Sequence, residues 1–310
     1  MTAFLRGASL FLLTLSMVMP AAEAEVSTAS AASAASAAND SGDQSGVAPE
    51  PTIQYLYVPT AAATNADGRA AQGELRVKAG APPWWRSGTG HIGSVAGTGY
   101  GRIDVDQEAL QLPTTLQSAY LNSVSWWRFS QTGSASLIIT PSIRTADTSV
   151  EWADTRLFVG AFSNWRITDQ YTIGVGAIST SNHLETKTIP VASLIAQPTP
   201  ELTVWFQGIA AQARWKATPA WTLGGSYSLI SSLDYQLPDN DPDGDIIIQR
   251  DIRVVGTVQW HATRWLACGA VVGGAFRRSW RWQSSGDSSR DNLELSPTPI
   301  IGGTITLNFR

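Results

Sequence analysis

Asp239-Asn240-Asp241-Pro242-Asp243-Gly244-Asp245 carries the D-x-D-x-D-G opening of a calcium loop. Carboxylates at alternate positions, with a glycine at the bend, are what a hard cation requires. The bidentate glutamate that would close the loop is replaced by Arg250, Pro242 interrupts the run, and no helical pattern flanks it. The segment reads as an acidic, solvated outer loop, and no metal site is expected. Ser181-Asn182-His183 is the one place where a hydroxyl and an imidazole lie close in sequence. Successive strand residues point to opposite faces, and the only neighbouring carboxylate is Glu185, so the arrangement does not assemble a nucleophile, a base and an orienting acid. His91 and His261 are the remaining histidines, and no glycine run has phosphate-loop spacing. No catalytic residue and no cofactor are assigned, and the chain is not read as an enzyme.

What does repeat with purpose is a hairpin. Trp165 to Gly174, Trp215 to Gly224 and Trp260 to Gly269 each hold an aromatic, a basic residue, a threonine-containing turn, a second aromatic and then a strand with glycine. The third copy has a turn one residue shorter. Paired aromatics flanking short turns at one level are what a membrane–water interface asks of adjoining strands. Trp165, Tyr171, Trp215, Trp221, Trp260 and Trp265 are accordingly expected to form an interface girdle. Arg166, Lys216 and His261 fill the basic slot beside them.

The composition agrees. Only 15% of the 310 residues are charged, tryptophan is over-represented with 13 copies, and the net charge is −4. Such a balance offers no field for nucleic acid. Beyond the N-terminus no run is long and apolar enough for a helical span, so a membrane reading requires a closed barrel. At the N-terminus, Arg6, the apolar Leu10 to Val18 and the Ala22-Glu23-Ala24 cleavage site form a signal peptide over residues 1–24. Residues 25–50, rich in alanine and serine, read as a flexible leader, and residues 51–310 as the barrel domain. Cys268 is the single cysteine and reads as a small packing residue.

Alternation supplies the strands. Ile53–Val58, Glu74–Ala79, Tyr100–Val105, Asn122–Phe129 and Ala135–Ile143 come first. Arg156–Ile167, Tyr171–Ser179, Ile189–Gln197, Leu202–Gln207 and Ala211–Lys216 follow, with Leu202–Gln207 and Ala211–Lys216 short for full spans. Trp221–Leu229, Ile246–Trp260, Trp265–Phe276 and Ile300–Phe309 complete the set. Turns at 168–170, 198–201, 217–220 and 261–264 are short, whereas the connections 180–187, 232–245 and 279–297 are long. Short turns on one rim and long loops on the other define an all-β, antiparallel, up-and-down transmembrane barrel of about 12–14 strands with both termini on the short-turn side. One face of the strands is Ile, Val and Trp; the other is Gly, Ser and Thr, with Phe158 and Phe162 as exceptions. Arg156, Arg166, Arg214 and Arg253 belong to the second face and are the expected lumen-lining residues, because such charges suit a wet interior and not lipid. Arg277-Arg278-Ser279-Trp280-Arg281-Trp282 reads as an outer-rim segment, with arginines placed for lipopolysaccharide.

Two resemblances add to this. Thr304-Ile305-Thr306-Leu307-Asn308-Phe309 resembles the C-terminal strand of bacterial outer-membrane proteins that the barrel-assembly machinery recognises, although Arg310 follows the aromatic here. Ile189-Pro190-Val191 through Pro198, Trp205, Trp215 and Trp221 resembles a family of bacterial barrel proteins of unknown function, over roughly the C-terminal two-thirds of the chain. Together they imply an outer-membrane location and contact with outer-membrane lipids, lipopolysaccharide and the assembly machinery. The expected role is a passive channel or small-solute transporter, with a non-conducting structural or surface-interaction barrel as the alternative and a lipid-modifying barrel behind both. N-terminal sequencing of the exported protein is expected to begin near Glu25; a chain still starting at Met1 would remove the export argument.

Overall fold

The computed structural model describes residues 51–79, 85–87, 90–108, 113–146, 154–181, 186–208, 210–237, 246–283 and 292–307. The signal and leader segments, the acidic run 239–245, His183, Glu185 and Phe309 lie outside the described residues. The described chain is made of strands: β1 (Thr52–Ala62), β2 (Arg69–Ala79), β3 (Trp85–Ser87), β4 (Gly90–Glu108), β5 (Thr115–Arg128), β6 (Gly133–Thr145), β7 (Thr155–Arg166), β8 (Tyr171–Ser181), β9 (Thr186–Thr199), β10 (Leu202–Gln207), β11 (Ala210–Thr218), β12 (Trp221–Gln236), β13 (Ile246–His261), β14 (Leu266–Gln283), β15 (Asn292–Leu295) and β16 (Thr298–Leu307). β3 and β15 are short additions beside β4 and β14. The other 14 pair antiparallel with their ring neighbours, and β1 meets β16 from Thr52↔Thr306 to Tyr57↔Ile301, so the sheet closes on itself. The fold is a closed, 14-strand, up-and-down barrel.

The two faces of the wall differ in chemistry. Ile53, Tyr55, Ile173, Val175, Val258, Val272, Ile301 and Ile305 project outward and are exposed. Large apolar side chains left exposed around a closed wall form a lipid-facing belt. On β4 the outward face then turns charged, where Arg102 Nε donates to Asp104 Oδ1 at 2.8 Å and Thr115 donates to the same oxygen at 3.3 Å.

The repeated threonine of the short turns has a defined job. Thr218 Oγ1 accepts from the amides of Ala220 and Trp221 at 3.2 and 3.1 Å, and Thr263 Oγ1 accepts from those of Trp265 and Leu266, each at 3.1 Å. Thr168 Oγ1 does the same for Gln170 at 3.2 Å. Each hydroxyl satisfies amides that the turn removes from the ladder, which fixes the hairpin.

Two departures from an even cylinder shape the interior. The strands at the long-loop end of β12, β13 and β14 continue past bulges at Ile230/Leu233 and Arg250/Ile252, where Arg277 takes a φ of 48°. Bulges bend and twist the strands that carry them. The bent extension reaches across the mouth to β6, where Gln236 bridges Thr145 and the Ala146 amide donates to the Gln236 carbonyl at 2.8 Å. Tyr235, Ile247, Trp280, Leu293 and Leu295 of this part pack against Val105 and Leu116 of the opposite wall. Trp280 and Arg278 are buried and pack inward, where the sequence suggested a rim contacting lipopolysaccharide, whereas Arg277 of the same segment is exposed.

The second departure is a low stretch of wall. β10 and β11 form a hairpin whose ladder stops at Gln207↔Ala210. β9 pairs β10 only over Ser193–Thr199, and β12 pairs β11 only up to Ser228. Above the hairpin, among the described residues, β9 and β12 face a gap with no ladder between them. Pro190, which has no amide to offer, sits in that unpaired stretch of β9. Through β8, the stretch is in register with Leu157 and Ala161 on the outward face of β7.

The assignment of faces is testable on β12. Leu223 pairs with outward-facing Val258, and Ser226 lies on the opposite face. Leu223→Arg is expected to lower unfolding free energy in lipid vesicles by about 2–4 kcal/mol, and Ser226→Arg by far less. Equal losses would show the faces reversed.

Candidate functional site: the barrel interior

The inward-facing residues fall into three groups. The first is a charge cluster. Arg253 on β13 reaches Glu74 on β2, with Nη1 at 2.8 Å from Oε2 and Nη2 bonded to Oε1. It also donates to Asp251 from Nε and Nη2, at 3.0 and 2.9 Å to Oδ2. Arg76 Nη2 adds a bond to Glu74 Oε2 at 2.8 Å. Gln72 Nε2 donates to Glu74 Oε1 at 2.7 Å, and Gln249 Nε2 donates to Asp251 Oδ2 at 3.2 Å. Glu74, Asp251 and Arg253 are all buried.

β2 and β13 are not neighbours in the ring; β1, β16 and β14 lie between them. The bond between Arg253 and Glu74 is therefore a chord across part of the interior. It runs over the inward faces of those intervening strands, where Leu56, Val58, Val271, Ala275 and Ile300 pack together. These residues leave the floor low enough for the long side chains to meet above it. A bidentate guanidinium between two carboxylates is the arrangement that makes a buried arginine tolerable.

The second group is apolar and lines the opposite wall, from β5 to β11. Val124, Ile138, Phe162, Ile178, Ile189, Val191, Ile195, Trp205 and Ala210 are buried there, with Phe158 packed against them. Register explains how they converge: Trp205 pairs with Ile195, and Ile178 with Ile189. The glycines of β7 and β8, which in sequence suggest empty space, serve this packing. A Cβ on Gly176 would meet Phe162 Cδ1 at 2.6 Å, and one on Gly160 would meet its Cε2 at 2.9 Å. The ring of Phe162 fills the room that those glycines leave.

The third group is polar and solvent-accessible, towards the short-turn rim. On β11, Gln212, Arg214 and Lys216 are exposed on the inward face. Arg76 and Lys78 of β2 are partly exposed on the far side of the ring.

The residues singled out in sequence occupy different surroundings. Arg253 sits in the charge cluster. Arg156 is buried near the long-loop end of β7, where its Nη1 donates to the Thr155 carbonyl at 3.0 Å. Arg166 is exposed at the turn end, where Nη2 donates to the Gln131 carbonyl at 3.4 Å, and Arg214 is exposed in the basic vestibule. Trp165, Trp215, Trp221, Trp260 and Trp265 are exposed at the short-turn end, and Tyr171 is half-buried there. The rings of Trp221 and Trp260 stack at 6.4 Å, and the Arg264 guanidinium lies 4.6 Å from the centre of a Trp265 ring. His261 shares a 3.1 Å hydrogen bond with Thr222, and Ser181 one of 2.8 Å with Thr186. Among the described residues no three of His, Cys, Asp and Glu come together as a metal site. Sequence reasoning missed Glu74 as the partner of Arg253 and Trp205 as an inward residue. Glu74 stood in a clear alternation, but its partner lies far away in sequence.

No protein-family model matches the chain, and no curated protein matches it in sequence. Solved structures similar in build are bacterial outer-membrane barrels. They include a NanC porin, with 9% identity over 84% of this chain and 100% of that one, at a TM-score of 0.38. A KdgM porin has 9% identity over 84% and 99%, at 0.34. The COG4313 outer membrane channel from Pseudomonas putida F1 has 8% identity over 86% and 98%, at 0.39.

Breaking the chord from one end leaves a buried charge without its partner, a loss of about 3–5 kcal/mol. Arg253→Met is expected to destabilise the folded barrel by that order in urea titrations in vesicles. Arg214→Met, at an exposed position, is expected to cost less than about 1 kcal/mol. Equal stability of the two variants would show that the chord does not brace the wall.

Proposed function

We propose that this chain is a passive channel for small solutes in the bacterial outer membrane. The observation that carries the reading is the basic, water-accessible vestibule formed on the inward face by Arg214, Lys216 and Lys78, with Arg76 paired to Glu74, inside a wall whose outer face is apolar. Charges turned inward from a lipid belt belong to a wet passage. A wall of 14 strands also encloses more cross-section than the roughly 8-stranded barrels that side chains alone can fill. The lumen-lining role fits Arg214 best. Arg253 is matched by Glu74 and Asp251, so it adds little field of its own to the passage.

The exposed aromatics of the short-turn end serve as an interface girdle, and the outer wall contacts outer-membrane lipid and lipopolysaccharide after insertion by the assembly machinery. The chain acts without a cofactor and is not an enzyme. A non-conducting barrel is the second reading. It is favoured by one feature, the extension of β12–β14 that crosses the mouth to β6.

Purified protein in a planar bilayer is expected to give small, discrete conductance steps with mild anion preference. Arg214→Glu is expected to move selectivity toward cations. Silent bilayers from correctly folded protein would leave the non-conducting reading.

A further inference from the structure

Trp205 and Gln207 stand two residues apart on β10 and therefore share its inward face. Each is only 5% exposed. The indole Nε1 of Trp205, a donor, and the amide Oε1 of Gln207, an acceptor, are both buried without a hydrogen-bond partner. A buried atom left unsatisfied calls for a partner, and here two stand on one strand face, with Gln212 opposite Trp205 and Ser193, already bonded to Asn164, opposite Gln207. Around Trp205 are Ile178, Ile189, Val191, Ile195 and Phe162.

The position is also distinctive in the fold. Gln207 closes the β10–β11 ladder at Gln207↔Ala210 and so stands at the sill of the gap between β9 and β12. Gly208 makes the turn there with a φ of 54°, and its amide donates to the Ala192 carbonyl at 2.9 Å. A side chain at 208 would be strained by that φ and would meet Val191 at 3.0 Å. The sill is thus fixed in place, with the apolar cluster behind it.

We propose that this wall is a binding site for a small apolar molecule bearing one hydroxyl group. A hydroxyl is the simplest group that answers both atoms: its oxygen accepts from Trp205 Nε1 and its hydrogen is donated to Gln207 Oε1. The hydrocarbon part lies against Ile178, Val191 and Ile195. The charge cluster of Arg253, Glu74 and Asp251 belongs to the opposite wall, and on the adjoining strand the inward cation Arg214 pairs with Thr203, one step along the face from Trp205 towards the short-turn rim. As a statement about the transported solute this rests on the channel reading above; as a binding site it does not.

The test uses the folded, full-length mature chain in detergent and reads saturable binding by calorimetry, with 4-ethylphenol and ethylbenzene as probes. 4-Ethylphenol is expected to bind saturably, and ethylbenzene about tenfold more weakly or worse, because it leaves both polar atoms unmet. Trp205→Phe, which keeps a ring and removes the donor, and Gln207→Leu, which removes the acceptor, are each expected to weaken 4-ethylphenol about tenfold. Neither is expected to weaken ethylbenzene. Folding of each variant is checked by its gel shift on boiling; should one fail, the other and the comparison of probes on the unaltered protein still decide. Equal affinity for the two probes, no saturable binding of either, or variants that bind 4-ethylphenol as the unaltered protein does would each overturn the proposal. Silent bilayers together with intact binding would remove the channel and leave the site standing.

Discussion

Backbone polarity governs this molecule. In hydrocarbon no water is available to an amide or a carbonyl, so a strand in the wall must find both its partners in protein. The ring from β1 to β16 meets that demand nearly everywhere, and the pairing of Thr52 with Thr306 leaves no edge at the seam. Once the wall is closed, the outward side chains are chosen by lipid and the inward ones are released for other work. The low hairpin β10–β11 is where the demand is relaxed. There the sequence responds with Pro190, which has no amide to satisfy, and with a glycine turn held to the Ala192 carbonyl.

The interior is partitioned by two opposing solutions to the same problem, how to fill a barrel of this width. On one side, Arg253 and Glu74 span three strands with charge, and the small aliphatic floor of Val271, Ala275 and Ile300 sets the height at which they meet. On the other, aromatic and branched side chains fill the space, with Phe162 lying over Gly160 and Gly176. Charge on one wall and hydrocarbon on the other give the interior two chemically unlike sides. The polar vestibule at the turn end serves both.

Much of the fold was legible because alternation is enforced by lipid. Tyr171–Ser179 and Trp221–Leu229 read as strands from period alone, and the shortness of Leu202–Gln207 and Ala211–Lys216 marked the low wall. The upper parts of β12 and β14 ran longer than their alternation. Past the bulges Ile246, Ile247, Ile248 and Gln249 of β13 are buried on both faces, and the pattern that lipid imposes disappears. For the same reason Trp280 and Arg278 looked like a rim. The interior was harder. A period of two gives the face of Phe162 but not whether that face is wet, and a glycine opposite an aromatic looks like a vacancy until the register places them together. Nothing local in sequence pairs Glu74 with Arg253, because the barrel's curvature, rather than any ladder, brings them together.

The seam between the first and last strands also sets the order of events in folding. Thr52 and Thr306 are separated by 254 positions, so their ladder bears the full entropy of closing the longest loop in the chain. Contacts of such range form slowly and late. Until they do, β1 and β16 each present a row of unsatisfied amides and carbonyls, the template on which strands of different molecules join. The chain is therefore most vulnerable to aggregation when nearly every hairpin has formed, and the last few residues to arrive are the ones that end the exposure.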